Sequence, residues 1–374
     1  MPATAHAPFE GLLPSLEPIQ LIGADGVAHD EGRERMPSLD LLVEGYRHLV
    51  VGRRVNDQAN ALVRQGRLAV YPSSFGQEAC EVAAAMVLDD GDWLFPTYRD
   101  AVAVITRGVD PLEAFVQLRG DWHSGYDPHS HNVAPQSTPL ATQLVHAAGF
   151  AHAAKLRGES TVVLAICGDG ATSEGDFHEA LNFAAVFGLA VVFLVQNNGY
   201  AISVPLSRQT HAPSIAHKAI GYGMPGVRVD GNDLAALLAV LQDAVEAARH
   251  GDGPTLVEAV TYRIQSHTNA DDASRYRSDD EVKPWLQRDP VRRLRDHLRA
   301  AGSLTDGDDA EIHAQAERVA STLRDGLNTE RDLDPAELFR HVYAQPTTQL
   351  TEQAAMLAAE LTASDAAPEP EARS

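Results

Sequence analysis

Two short polar islands interrupt an otherwise apolar stretch near the middle of this chain: Gly168-Asp169-Gly170 in "CGDGATSEGDF" and Asn197-Asn198 in "LVQNNGYAIS". A carboxylate and an amide carbonyl are hard oxygen donors, and without Cys or His beside them they suit Mg²⁺ or Ca²⁺ better than zinc. Mg²⁺ takes few ligands from protein and completes its shell from a phosphorylated partner. Glycines at 168 and 170 would let the backbone come close to such a partner, and a helix after them would aim its N-terminal amides at it. The two islands together predict a Mg²⁺–diphosphate site. Either one alone would more simply be a turn.

The elements around the islands supply the reason to take them together. Residues 161–167 (TVVLAIC) and 190–196 (AVVFLVQ) read as strands and about 176–187 as a helix between them. A strand–helix–strand crossover makes the strands parallel and puts both C-terminal ends on one edge of the sheet. Neighbouring strand tips would lie about 4.8 Å apart, close enough for one ion to be held by both. Helices of about 214–222 and 233–249 and a strand of 255–260 continue the alternation. Unbroken Val/Leu/Ile runs between helices predict an α/β fold whose parallel sheet is buried on both faces and flanked by helices. The expected organisation is an N-terminal arm (1–37), a helical segment (38–70), the α/β domain (71–290), a C-terminal helical region (291–350) and an acidic, disordered tail (351–374).

Composition narrows the function classes. The 30 basic against 52 acidic residues of this 374-residue chain give a formal charge of −22, which opposes binding to nucleic acid or an anionic membrane surface. Cys80 and Cys167 stand far apart without a CxxC pair, excluding a disulfide framework or a cysteine zinc site. The opening "MPATAHAPFEGLLPSLEPIQ" lacks the basic start and apolar run of a signal peptide, and no stretch is long and apolar enough to span a membrane, so a cytoplasmic location is expected.

Residues 171–196, 26 in all, separate GDG from NN, a spacing that resembles the thiamine diphosphate motif. The wider "GDGATSEGDFHEALNFAAVF…QNNGYAIS" is similar to the E1 α subunits of the 2-oxo acid dehydrogenase complexes, from about Leu39 to Leu298, and most to their branched-chain (2-oxoisovalerate) branch. The resemblance implies the thiamine diphosphate-binding fold with helical extensions at both ends. It implies Asp169, the Asn198 side chain and the Tyr200 backbone carbonyl as Mg²⁺ ligands. Tyr98 and Arg99 of "FPTYRD" would grip the diphosphate, alongside Gly168, Gly170 and Ala171; a planar guanidinium donates to two phosphate oxygens at once. In "STPLATQ", Thr138 would touch the cofactor and Leu140 prop it in a bent shape, while Ser137, Pro139, Thr142 and Gln143 correspond to a K⁺ site. His267, in the loop "RIQSHTNADDASRYR" (263–277), matches the family's catalytic histidine, and Thr268 stands where relatives carry a regulatory phosphoserine. Gln196 departs from the branched-chain pattern, where Arg can precede the two asparagines.

The reaction so implied is oxidative decarboxylation of branched-chain 2-oxo acids, with pyruvate as the alternative, and acyl transfer to a lipoyl-bearing E2 protein. The glutamate that activates the cofactor's aminopyrimidine has no candidate in this chain; in the family it comes from a β subunit, so an α2β2 assembly is expected. The active-site loop, charged and poor in apolar surface, is expected to order only when cofactor docks. Two rivals fit less well. A nicotinamide-binding Rossmann motif would need glycine where Ser173 stands, and a non-catalytic assembly subunit would not need Asp169, Asn198, Arg99 and His267 together. His123, His129 and His131 imitate a metal cluster, but a mobile loop at the cleft mouth is the preferred reading because no carboxylate pattern accompanies them.

Overall fold

A computed structural model describes residues 12–120, 125–329 and 334–365. Five parallel strands form the main sheet: β1 (Trp93–Phe95), β2 (Val163–Gly168), β3 (Val191–Asn197), β6 (Gly226–Asp230) and β7 (Thr255–Val260), in the order β1-β2-β3-β7-β6. Strands β4 (Tyr200–Ala201) and β5 (Val204–Pro205) make a small separate hairpin just after β3. The central three strands are those legible as continuous apolar runs. The two edges are not: β1 has three residues and β6 alternates without a fully apolar core, so neither carries a strand pattern of its own.

The period-2 alternation of β2 explains the layering. Val163, Ala165 and Cys167 face one side with Val191, Phe193 and Val195 of β3, against α6 (Thr142–Arg157) and α7 (Gly175–Phe187). Leu164 and Ile166 face the other side, with Val192 and Leu194, against α1 (Leu39–Arg64), α2 (Glu78–Met86), α3 (Ala101–Thr106) and α8 (Leu234–His250). Small residues on α6 (Ala147, Ala148, Ala151) and α7 (Ala180, Ala184) let these two helices lie close on the sheet. Helix α4 (Pro111–Arg119) and the single turn α5 (Pro128–His131) complete the β1 side. Beyond the sheet follow α9 (Asp279–Leu286), α10 (Pro290–Ala300), α11 (Asp306–Asn328), α12 (Glu337–Arg340) and α13 (Thr348–Asp365). Two compact units result, dividing between Leu327 and Asn328, so α10 and most of α11 belong to the unit that carries the sheet.

Several sequence expectations are corrected. Ala216–Tyr222 is a 3₁₀ helix, not the α-helix expected over 214–222. Helix α6 starts at Thr142 after Ala141, which holds φ at 64°, so the turn containing Pro139 precedes the helix. The tail expected to be disordered from 351 is helical up to Asp365, because "TQLTEQAAMLAAEL" is rich in the strongest helix formers; residues 366–374 lie outside the described residues. The N-terminal arm is not free of the body either. Ile19 bridges Val229 at the β6 edge, and Leu21 and Ile22 are buried, their amides donating to Asp233 Oδ2 at 2.7 and 2.8 Å.

Candidate active site

The C-terminal edge of the sheet opens into a cleft of about 610 Å³. Strands β2 and β3 are neighbours with Gly168 opposite Gln196, so Asp169 and Asn198 emerge side by side, and the Asn198 backbone N–H donates to Asp169 Oδ1 at 3.3 Å. The two asparagines have different tasks, because successive residues of a strand point to opposite sides. Asn197 Nδ2 donates to the buried Glu258 on β7 at 2.7 Å, whereas Asn198 lines the cleft. Gly168, Gly170, Ala171 and the Tyr200 segment line it too. Gly170 is required by packing: a Cβ there would stand 2.7 Å from that of Ala201 on the β4 hairpin, while one on Gly168 would meet nothing within 4 Å.

The opposite wall is made by two segments that the fold zips together. Thr97 and Ser137 form a parallel bridge, and the Tyr98 N–H donates to the Ser137 carbonyl at 2.9 Å, placing Tyr98 and Arg99 beside Thr138, Pro139 and Leu140. Ser137 Oγ donates to the Pro139 carbonyl at 2.9 Å, and Gln143 Nε2 to that of Ile166 at 2.7 Å, leaving the buried Gln143 Oε1 without a hydrogen-bond partner. Thr142 is the expected site residue that does not line the cleft; its hydroxyl faces Asp176 at 3.4 Å.

Burial pushes the Asp169 carboxyl above its ordinary range, against the pull of hydrogen bonds led by that from Gln209 Nε2 at 2.7 Å. A carboxylate so placed gains from a cation at its open side. Asn198 is held at both ends, its Oδ1 accepting from the Tyr200 N–H at 3.2 Å and its Nδ2 donating to Gln77 Oε1 at 2.8 Å. Gln77 continues to Gln196, and Gln196 to Asp100. The Tyr200 carbonyl already accepts from Arg263 Nη1 at 3.2 Å and has a second lone pair.

The 263–277 segment is tied down by polar contacts of its own. Its charges are spent on its own backbone: Arg277 donates to the carbonyls of Arg263, Ile264 and Gln265, and Tyr276 donates to Asp271 Oδ2 at 2.5 Å. Asp271 in turn accepts from the His267 N–H at 2.8 Å. Arg99 Nη2 reaches both His267 Nδ1 and the His267 carbonyl at 3.1 Å. Arginine can only donate, so Nδ1 accepts and the ring proton sits on Nε2. Burial, then Arg99 and Arg263, lower the His267 pKa to about 4, which keeps the ring neutral at neutral pH.

Sequence reasoning missed Gln77, Gln209, Arg263 and Ile202, all of which line the cleft. None carries a spacing signal, since each is recruited from a different loop. Ile202 holds φ at 53°, unusual for a β-branched residue, and its carbonyl accepts from Arg263 Nη2 at 2.6 Å. Leu140, Ile202 and Val204 line the cleft while 43%, 56% and 42% exposed. Among the described residues the histidine segment forms no metal site. His129 packs edge-on against Trp93, His131 lies beside Gly108, and His123 lies outside the described residues, among which no group of three His, Cys, Asp or Glu could hold an ion. The segment expected to be a mobile loop at the cleft mouth is, at Pro128–His131, a capped helical turn.

A parallel sheet with a Gly-Asp-Gly turn and an Asn-Asn-Gly turn at adjacent strand ends, matched over residues 46–324, makes this chain a member of the dehydrogenase E1 component family. It is 50% identical over 351 residues, 94% of this chain and 96% of the relative, to the 3-methyl-2-oxobutanoate dehydrogenase subunit alpha of Mycobacterium tuberculosis. It is 36% identical over 341 residues, 90% of this chain and 91% of the relative, to the pyruvate dehydrogenase E1 component subunit alpha of Staphylococcus aureus. Membership implies thiamine diphosphate as cofactor. The residues present fit such a group: one buried carboxylate with amide and carbonyl oxygens, cationic Arg99 and Arg208 in the wall, and exposed apolar side chains where an organic ring would rest.

Proposed function

We propose that this chain is the α subunit of an E1 enzyme that decarboxylates 3-methyl-2-oxobutanoate and related branched-chain 2-oxo acids and passes the acyl group to a lipoyl-bearing E2 protein. The carrying observation is the meeting of Asp169 and Asn198 across the β2 and β3 ends within the cleft, on a chain 50% identical to a relative named for that substrate. When bound, thiamine diphosphate supplies the nucleophilic carbon and the electron sink for loss of CO₂. The protein's part is to bind, orient and manage protons. Asp169, Asn198 Oδ1 and the Tyr200 carbonyl would hold Mg²⁺, an arrangement of hard oxygens that suits it. Tyr98, Arg99 and the backbone of 168–171 would take the diphosphate, Thr138 would contact the cofactor, and Leu140 would support its bent shape. His267, neutral and protonated on Nε2, can donate a hydrogen bond from that N–H to an oxygen or sulfur that gains negative charge in the reaction. Ser137, Pro139, Thr142 and Gln143 remain the proposed K⁺ site; the unpartnered Gln143 Oε1 supports it, and the Thr142 side chain, lying off the cleft, supports it least.

The carboxylates lining the cleft, among the described residues, are Asp169 and Glu174, both on the segment assigned to the diphosphate end. The glutamate needed at the aminopyrimidine end is therefore assigned to a β subunit, in an α2β2 assembly. Among the described residues no helix is long and apolar enough to cross a membrane, in keeping with the proposed cytoplasmic location. A second reading, pyruvate as substrate, draws on the 36% identity to pyruvate dehydrogenase subunits and on Gln196. The test is decarboxylation of 3-methyl-2-oxobutanoate and of pyruvate by the chain alone and with a cognate β subunit. Activity is expected only in the mixture and in favour of the branched substrate. Faster turnover of pyruvate would transfer the assignment to the second reading, and full activity of the isolated chain would refute the split site.

A further inference from the structure

A line of four buried side chains runs from the wall that carries Arg99 to Asn198. Asp100 Oδ2 accepts from the Thr97 N–H at 2.6 Å, and its Oδ1 accepts from Gln196 Nε2 at 2.6 Å. Gln196 Oε1 accepts from Gln77 Nε2 at 2.7 Å, and Gln77 Oε1 accepts from Asn198 Nδ2 at 2.8 Å. All four are buried, 0–6% exposed, so a missing partner leaves a largely desolvated polar group.

The line has a direction. A primary amide presents an acceptor on one side and donors on the other, and a carboxylate presents only acceptors. The Asp100 carboxylate therefore makes Gln196 turn its NH₂ inward, which turns its oxygen to Gln77, which turns the Gln77 oxygen to Asn198. The Asn198 NH₂ is consumed in the chain and its Oδ1 is left on the other side, beside the Tyr200 N–H. Run the other way, the chain would end with the Asn198 NH₂ directed at the ion, and a donor cannot ligate a cation. Gln77 itself is delivered by Gly76, whose φ of 98° and whose place 2.1 Å from the Tyr262 carbonyl, measured from an added Cβ, admit no side chain.

We infer that Gln77 and Gln196 are positioning residues that fix the amide of Asn198 with its oxygen toward the divalent cation, an inference that rests on the proposed Mg²⁺–thiamine diphosphate site. Gln196 thereby acts on the ion through two amides, those of Gln77 and Asn198.

The test uses full-length chain in complex with its β subunit and reads the apparent Mg²⁺ affinity by calorimetry at fixed thiamine diphosphate, without turnover. Gln77→Met keeps the volume and removes the amide; it should weaken Mg²⁺ binding about 10- to 100-fold, the usual range for groups that orient a metal ligand. The same change placed on Asn198→Asp should cost nothing further, because a carboxylate presents oxygen in either orientation. It can even restore affinity, since carboxylates at both ends of the line leave no consistent polarity for the amides between. An equal loss in both backgrounds would show a packing role and overturn the inference, as would an unchanged affinity for Gln77→Met alone. Gln196→Met, tested in the same two backgrounds, gives the same discrimination if Gln77→Met fails to fold. Wild-type complex that binds thiamine diphosphate with no dependence on Mg²⁺ would refute the cofactor site itself, a result distinct from either outcome of the cycle.

Discussion

At the scale of single residues, the site depends on groups whose burial would be unfavourable without a partner. Asp169 is the clearest: it is buried, and burial raises its pKa. Asp169→Ala should cost at least about a hundredfold in Mg²⁺-dependent thiamine diphosphate affinity, on the scale of metal-site substitutions, as titration calorimetry would show. His267 makes a different prediction, one in pH. Its pKa is about 4 in the folded chain, against about 6.5 when exposed. Between those values the unfolded chain takes up a proton that the folded chain refuses, so this contribution to stability is complete above about 6.5 and is lost as pH falls toward 4. Cofactor-free His267→Gln should show a flatter dependence of melting temperature on pH across that window than wild type. In turnover, His267→Ala should leave cofactor affinity within a few-fold and lower acyl transfer to lipoyl-E2 by roughly 10²–10³, the usual worth of one hydrogen-bond donor to developing charge.

At the scale of elements, the site is a junction of loops held by arginines that grip carbonyl groups. Arg277 binds three successive carbonyls at the start of the 263–277 segment, and Arg263 binds those of Tyr200 and Ile202. The hold on that segment is thus electrostatic and local and does not draw on apolar burial. Arg277→Ala should raise the rate of proteolytic cleavage within 263–277 several-fold, with acyl transfer falling in parallel. Arg277→Lys should fall between, because an ammonium keeps the charge without the planar fork. Equal cleavage rates in all three proteins would show that the segment is held by something else.

At the scale of the whole unit, Arg293 on α10 joins parts of the chain that are remote in sequence. It is 2% exposed, donates to the Ile22 carbonyl at 2.9 Å and to Asp230 at 3.0 Å, and lies 3.6 Å from Asp233, which caps α8. The N-terminal arm, the end of β6, the start of α8 and α10 therefore share one buried ion pair. Removing only the cation leaves two buried carboxylates. Arg293→Met should destabilise the protein by about 3–5 kcal/mol in urea denaturation, and the double change Arg293→Met with Asp230→Leu should recover part of that loss.

What this sequence determined alone is the local chemistry and the crossover that frames it. The apolar runs of β2 and β3, the 26 residues between Gly170 and Asn197, and the oxygen donors Asp169 and Asn198 are all contained in one strand–helix–strand unit, whose geometry follows from backbone sterics and hydrophobic periodicity. The extent of the family match followed from long, contiguous motifs of the same kind. Tertiary structure decided the rest. The edge strands β1 and β6 are too short or too mixed to announce themselves, and they exist because their neighbours offer unpaired ladders. Gln77, Gln196, Asp100 and Arg263 carry no pattern, because a buried hydrogen bond depends on where two loops meet and leaves no periodicity in either. The contacts of the 263–277 segment are hidden for the same reason: its composition reports how little it can bury, while the placing of charge against its own carbonyls is a property of three-dimensional position.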